Sequence, residues 1–332
     1  MAHENFKVKV VEIILTIAVI FLIVLNTTYI PSIATITMFI LPIPITLLYV
    51  RNGYKVTLFS IVVSTILVSI KHNLVLTILY TFMYGLVGIV LGYCINKKKK
   101  NSFSIIVTSI AIGIGTIVQF IVYSIFIHKQ GILKSINLIA EASREPFKIA
   151  KDTYVSMGAP TELIDAVNQI IKSITAQQIL IILPVIILAN SLIQSYINYY
   201  ITSKVLQKSN LNIDRITTFS IIYIPNLLAA YIIIIACLGI ILDSRGITIG
   251  TYMSGISMYI LRFLFSLNGI AFFAYILRNK FKLSRAASTI ILFLGLVIPI
   301  FGDIYLIAGT MDIILNLRRL DPNPIRKVKK RE

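Results

Sequence analysis

Two long stretches of this chain carry no charge at all. Leu74–Ile95 reads LVLTILYTFMYGLVGIVLGYCI, and Phe103–Ile127 reads FSIIVTSIAIGIGTIVQFIVYSIFI. Each exceeds the ~20 residues a helix needs to cross the hydrocarbon of a bilayer. Such stretches recur down the chain, with charges gathered in short clusters between them. A soluble domain must present polar groups to water, and a chain 57% hydrophobic and 13% charged has too few. In hydrocarbon every backbone polar group must be satisfied internally, which leaves helices or closed barrels. The length of the runs selects helices. The fold class expected is therefore all-α, a polytopic transmembrane helix bundle.

Reading the runs in order gives about ten spans. Five fall at about Val10–Thr27, Pro31–Val50, Val56–Ile70, Leu74–Ile95 and Phe103–Ile127. Three more fall at Ile179–Ile201, at Phe219–Leu242 and within Ile247–Leu277. The run Ala286–Leu317 is too long for one span and short for two. Pro299 and Gly302 near its middle predict a hairpin of two short helices. The N-terminal apolar run lacks a small-residue cleavage site, so it reads as a retained span rather than a removed signal peptide. The two cysteines, Cys94 and Cys237, show no metal-ligand or disulfide spacing.

Residues 128–178 differ in character, with charges of both signs. Ile132, Ile136, Ile139, Phe147 and Tyr154 recur at helical spacing, and Leu163, Val167, Ile170 and Ile174 form a second apolar stripe. Gly158-Ala159-Pro160 between them is a helix stop and restart. The pattern predicts an amphipathic helical hairpin lying on the membrane or capping a cavity. The organisation expected is an N-terminal bundle (1–127), this hairpin (128–178), a C-terminal bundle (179–317) and a basic tail (318–332).

The net charge is +18. Its placement beside the apolar runs points to membrane orientation rather than nucleic acid. Putting Arg51/Lys55, Lys97–Lys100, Lys204–Arg215, Arg278–Arg285 and the tail on the cytoplasmic side satisfies the positive-inside rule. Both termini are then cytoplasmic and the hairpin 128–178 is outside. The scheme requires the last apolar run to turn back on itself. The bilayer is the one partner composition demands, and its expected setting is a bacterial plasma membrane.

Several residues invite functional readings. Leu41-Pro42-Ile43-Pro44 places two prolines in oily sequence. A proline inside a helix removes a hydrogen bond, and broken backbone in a membrane lines a cavity or is buried in protein. Pro42 and Pro44 thus mark either a discontinuous helix at a pocket or a packing kink. Asn190, Gln194 and Asn198 are spaced by four and suggest one polar helix face. Asn226 follows Pro225 and repeats the logic of a break beside a polar group. Arg262 lies in MYILRFLFSLNGIAF, far from any charge in sequence. It is either an anion-binding or gating group, or half of an ion pair with Asp303 or Asp312. Asp312 lies six residues before Arg318, which favours a structural pair between those two. Gly88-x-x-x-Gly92 is a helix-contact pattern. No phosphate-binding Gly-x-x-x-x-Gly-Lys-Ser/Thr loop, His-Glu-x-x-His or Gly-x-Ser-x-Gly occurs. Neither an enzyme, nor a cofactor, nor a metal is expected.

The stretches TMFILPIPITLLYVRNGYKVTLFSIVVSTIL and LYTFMYGLVGIVLGYCINKKKK resemble the YybS-like family of bacterial membrane proteins, a domain of unknown function. So does the ending FGDIYLIAGTMDIILNLRRL. The first half of that family is similar to the S components of energy-coupling-factor transporters, which capture a micronutrient for an ATPase-driven partner. The resemblance implies a transport-related small-molecule binding component, with a pocket at Pro42, Pro44, Asn190, Gln194, Asn226 and Arg262. The alternative is a membrane-embedded regulatory protein whose basic loops dock a cytoplasmic partner or anionic lipid.

Overall fold

The computed structural model describes residues 2–29, 34–70, 73–127, 129, 131–208 and 219–321. Among them the regular structure is helical throughout, with no strand. The helices are α1 Ala2–Tyr29, α2 Ala34–Ile40, α3 Pro42–Ser69, α4 Leu74–Asn96, α5 Asn101–Val122 and α6 Ile132–Ser156. Then come α7 Thr161–Ser173, α8 Ala176–Lys208, α9 Asn226–Ser244, α10 Thr248–Asn279, α11 Arg285–Val297 and α12 Pro299–Leu315. A π-helical turn, Tyr123–Ile127, extends α5. The basic residues Arg215 and Arg326–Arg331, used above for orientation, lie outside the described residues.

Among the described residues six helices are long and apolar enough to cross a membrane: α3, α4, α5 with its π turn, α8, α9 and α10. The bent pair α11/α12 makes a seventh if counted as one span. About ten were expected. The later part of 31–50 and the stretch 56–70, read as separate spans, lie in α3 on either side of a kink at Gly53. Helix α1 contributes a shorter apolar stretch, Ile13–Ile23.

At Leu41-Pro42-Ile43-Pro44 the short helix α2 ends at Ile40 and α3 begins at Pro42. Leu41 between them has helical dihedrals (φ −62°, ψ −37°), and its N–H donates to Thr37 O at 2.9 Å. Pro42 is the first residue of α3, where a missing N–H costs nothing. The kink inside α3 comes at Gly53, with φ 80° and ψ 176°. A Cβ there would meet nothing within 4 Å, so glycine is required for its backbone and not for space.

The chain forms two compact units, Met1–Ala142 with Ile187–Ile216, and Ser143–Ile186 with Thr217–Glu332. The first unit buries small polar residues beside an apolar core of Ile20, Leu41, Ile45, Ile61, Val68 and Tyr84, and is oily outside. On α3, Thr57, Ser60 and Ser64 are fully buried while Leu58, Phe59, Val62 and Ile66 are exposed. Each of those hydroxyls donates to the carbonyl four residues back, the usual way a hydroxyl is satisfied within a membrane helix. Helix α4 lays its glycines on α3: a Cβ at Gly88 would sit 2.5 Å from Ile45 Cγ2, and one at Gly92 2.7 Å from Tyr49. Thr46 Oγ1 donates across this contact to Gly88 O at 3.1 Å. Small residues let the backbones approach, which replaces the hydrophobic drive that lipid cannot supply.

In the second unit α9 and α10 form a hairpin turning at Gly246 (φ 75°). Arg262 on α10 meets Asp303 on α12, and Asn268 meets Gly309 and then Asp312. The pairs advance together, so α10 and α12 run in the same direction. Helices α11 and α12 are bent by 114° to each other, and Tyr305 OH on α12 donates to Leu292 O on α11 at 3.3 Å. The break falls at Ile298-Pro299, where a proline again opens a helix. Helix α7 follows a left-handed Gly158 and buries none of its residues. Within this unit Arg144 Nε donates to Ile174 O at 2.6 Å, linking α6 to the end of α7.

Candidate functional site

One face of α8 in the first unit is polar and sealed. Ser191, Gln194, Ser195, Asn198, Thr202 and Ser203 are each at most 2% exposed. The first five fall within about 100° around the helix, and Ser203 lies about 80° beyond them. Helix α5 lies antiparallel along this face. Tyr199 OH donates to Asn101 Oδ1 at 2.5 Å, Ser195 Oγ donates to Ile105 O at 2.6 Å, and a Cβ at Gly113 would lie 3.4 Å from Ser191 Oγ. Asn101 follows directly on Lys97–Lys100, so that end of the seam adjoins the lysines.

Part of the seam has no hydrogen-bond partner. This holds for both amide atoms of Asn198 and for the hydroxyls of Ser191, Thr202 and Ser203; the Thr108 hydroxyl on α5 is likewise without one. Elsewhere in the unit, Thr46, Thr81, Ser104 and Ser124 all donate back to the carbonyl four residues earlier. The seam's hydroxyls do not take this local escape. A buried polar group without a partner costs about 1–3 kcal/mol by mutational measures. Asn198 has a donor and an acceptor in that position, both on a side chain that is 0% exposed.

The second unit contains a different kind of polar cluster, and it is fully satisfied. Arg318 Nε and NH2 contact Asp312 Oδ2 at 2.9 and 2.8 Å. Its NH1 donates to Ser220 O and Ile222 O at 2.9 Å, and NH2 to Asn268 Oδ1 at 2.7 Å. Asn268 Nδ2 donates to Asp312 Oδ2 and to Gly309 O, both at 3.1 Å. Both ions are 5% exposed. A guanidinium with its fork filled and a carboxylate fully bonded make a clamp, with nothing left to bind a solute. A pocket of about 10 Å³ adjoins it, lined in part by Asn226, Asn268, Asn316 and Asp321, with room for about one water.

Residues 17–313 match the family described as "Predicted membrane protein (DUF2232)". The chain belongs to that family. It is 25% identical over 301 residues to "Uncharacterized protein YybS" of Bacillus subtilis (strain 168), covering 90% of this chain and 93% of that protein. No solved structure matches. The chain is thus an uncharacterised integral membrane protein with several membrane-crossing helices.

In this member of the family the residues singled out from sequence separate into three places. Gln194 and Asn198 lie in the α8 seam, whereas Asn190 is exposed. A spacing of four advances 40° per step beyond a full turn, so Asn190 lies about 80° from Asn198. Pro42 is buried against α4, and its carbonyl lies 3.2 Å from where a Gly88 Cβ would be. Pro44 borders an open, apolar recess of about 180 Å³ with Leu15, Thr16 and Arg51. Arg262 pairs with Asp303 at 2.9 Å, with both side chains about two-thirds exposed. Asp312 pairs with Arg318 instead. Asn226 Nδ2 donates to Asp321 Oδ2 at 2.6 Å. Missed from sequence were the hydroxyls Thr108, Ser191, Thr202 and Ser203. Among the described residues no group of three His, Cys, Asp or Glu is placed to hold a metal.

Proposed function

We propose that this protein binds a small solute within its first unit, at the α8–α5 seam, as a transport-related component of a bacterial plasma membrane. The observation that carries this reading is Asn198, fully buried with its amide oxygen and nitrogen both unpartnered. A side chain in hydrocarbon keeps such a cost where an occupant offsets it. Gln194 borders the same site on α8. Of the other residues expected at the pocket, Arg262 and Asn226 are engaged with carboxylates of the second unit and take no part in it. Binding needs no chemical step, and energy for movement comes from a partner or an ion gradient. Both termini and the lysine-rich end of the seam face the cytoplasm in this reading.

The test uses the full chain extracted into lipid nanodiscs and native mass spectrometry. The parent protein carries a non-lipid adduct; Asn198→Leu, nearly equal in volume, loses it while keeping or raising its thermal stability. A parent protein free of adducts, or an Asn198→Leu protein that keeps one, overturns the reading.

A further inference from the structure

We infer that the seam selects an uncharged, hydrogen-bonding molecule and admits it from the end beside Lys97–Lys100; this rests on the solute-binding reading above. Among the described residues, the polar groups buried in the first unit are hydroxyls and amides, with no Asp, Glu, Lys, Arg or His. Every charged side chain described in that unit is exposed, from Arg51 and Lys55 through Lys97–Lys100 to Lys204 and Lys208. A charged solute beside Asn198 would have no counter-ion, and an isolated charge in a low-dielectric interior is far more costly than an unpaired amide. A neutral molecule carrying both donors and acceptors fits, because the amide of Asn198 offers one of each and the hydroxyls offer either.

Three of the unpartnered groups are arranged as a track. Ser191, Asn198 and Thr202 lie within about 40° of one another around α8, and Ser203 lies about 100° further round. From Ser191 to Thr202 the helix rises about 16 Å. Tyr199 and Asn101, bonded to each other, stand near the Ser203 end. Lysines outside this mouth repel cations, while the interior offers anions no charge to meet. The mouth and the track therefore reject the two signs for different reasons.

Substituted cysteines test the proposal. Serine to cysteine is nearly isosteric, so Ser191→Cys and Ser203→Cys preserve the packing, in a chain also carrying Cys94→Ala and Cys237→Ala. Three thiol reagents of more nearly similar size are compared in nanodiscs: neutral hydroxyethyl methanethiosulfonate, the trimethylammonioethyl cation and the sulfonatoethyl anion. All react through the thiolate, which needs water, so a dry apolar position is slow toward each. Ile112→Cys, fully buried among apolar residues, supplies that control, and exposed Gln207→Cys sets the intrinsic rates. Relative to Gln207→Cys, the neutral reagent is expected to modify Ser191→Cys at least tenfold faster than either charged one, and faster than it modifies Ile112→Cys. Equal access for a charged reagent overturns the selectivity and leaves solute binding standing. If Ser191→Cys is as slow as Ile112→Cys toward every reagent, the seam is dry and both inferences fall.

Discussion

Replacing Arg318 by methionine keeps the length and the apolar stem of the side chain and removes only the guanidinium. The structure sets the size of the effect. Five contacts disappear: two to Asp312 Oδ2, one each to Ser220 O and Ile222 O, and one to Asn268 Oδ1. Asp312 is left 5% exposed with Asn268 and the Arg318 backbone N–H as its remaining donors. Breaking a buried pair by deleting one partner costs about 3–5 kcal/mol, or roughly 150- to 4,000-fold in the folding equilibrium. That is a large share of the about 5–15 kcal/mol that holds a typical domain together. The assay is equilibrium unfolding of the purified chain in mixed micelles, followed by the fluorescence of its 17 tyrosines. Arg318→Lys is expected to recover less than half of the loss, since an ammonium has three donors and no planar fork. Adding Asp312→Leu to Arg318→Met is expected to recover part of it by removing the stranded charge, while the three orphaned oxygens remain. An Arg318→Met protein within about 1 kcal/mol of the parent would refute the clamp, because even the low end of the range for a broken buried pair is threefold larger.

Further outcomes follow from the same reasoning. Gly309→Ala would put a methyl 1.8 Å from Phe265 O, a backbone atom that cannot yield, so α10 and α12 must part at a cost of about 1–3 kcal/mol or more. Gly115→Ala meets only Met83 Sδ, at 2.3 Å, and the flexible thioether can turn aside; under about 1 kcal/mol is expected in the same unfolding assay. Arg262→Leu together with Asp303→Leu replaces an ion pair inside the apolar span α10 by two apolar side chains, an exchange often neutral or stabilising for a desolvated pair, and the double variant is expected to unfold within about 1 kcal/mol of the parent or later. A large loss there would show that this pair, too, holds the unit together.

What could be read from the sequence was decided by local chemistry. The break at Pro299 was legible because proline cannot continue a preceding helix, and the Asp312–Arg318 pair because six residues just past a helix end allow the chain to fold back. The hairpin turn at Gly158 had the same kind of signal. The prolines at 42 and 44 left two readings open because a proline that opens a helix and one that breaks it look alike in sequence. What separates them is the conformation of Leu41. Arg262 had two carboxylates in prospect, and only the parallel run of α10 and α12 assigns it to Asp303. The seam was half-visible: its amides stood out, but its hydroxyls did not. A serine on a lipid-facing helix can bond to its own backbone, so burial and the failure to do so are properties of the packed structure alone.

The inward-facing hydroxyls of α3 bear on how the chain enters a membrane in the first place. Of the six long helices α3 is the least apolar, and its polar face, Thr46, Thr57, Ser60 and Ser64, is covered in the finished protein. Its glycine-rich neighbour α4 is more apolar and follows after only a few residues. Presented singly to the insertion machinery, α3 is a poor substrate for partitioning into lipid; held until α4 has been synthesised, it can leave as half of a preassembled pair.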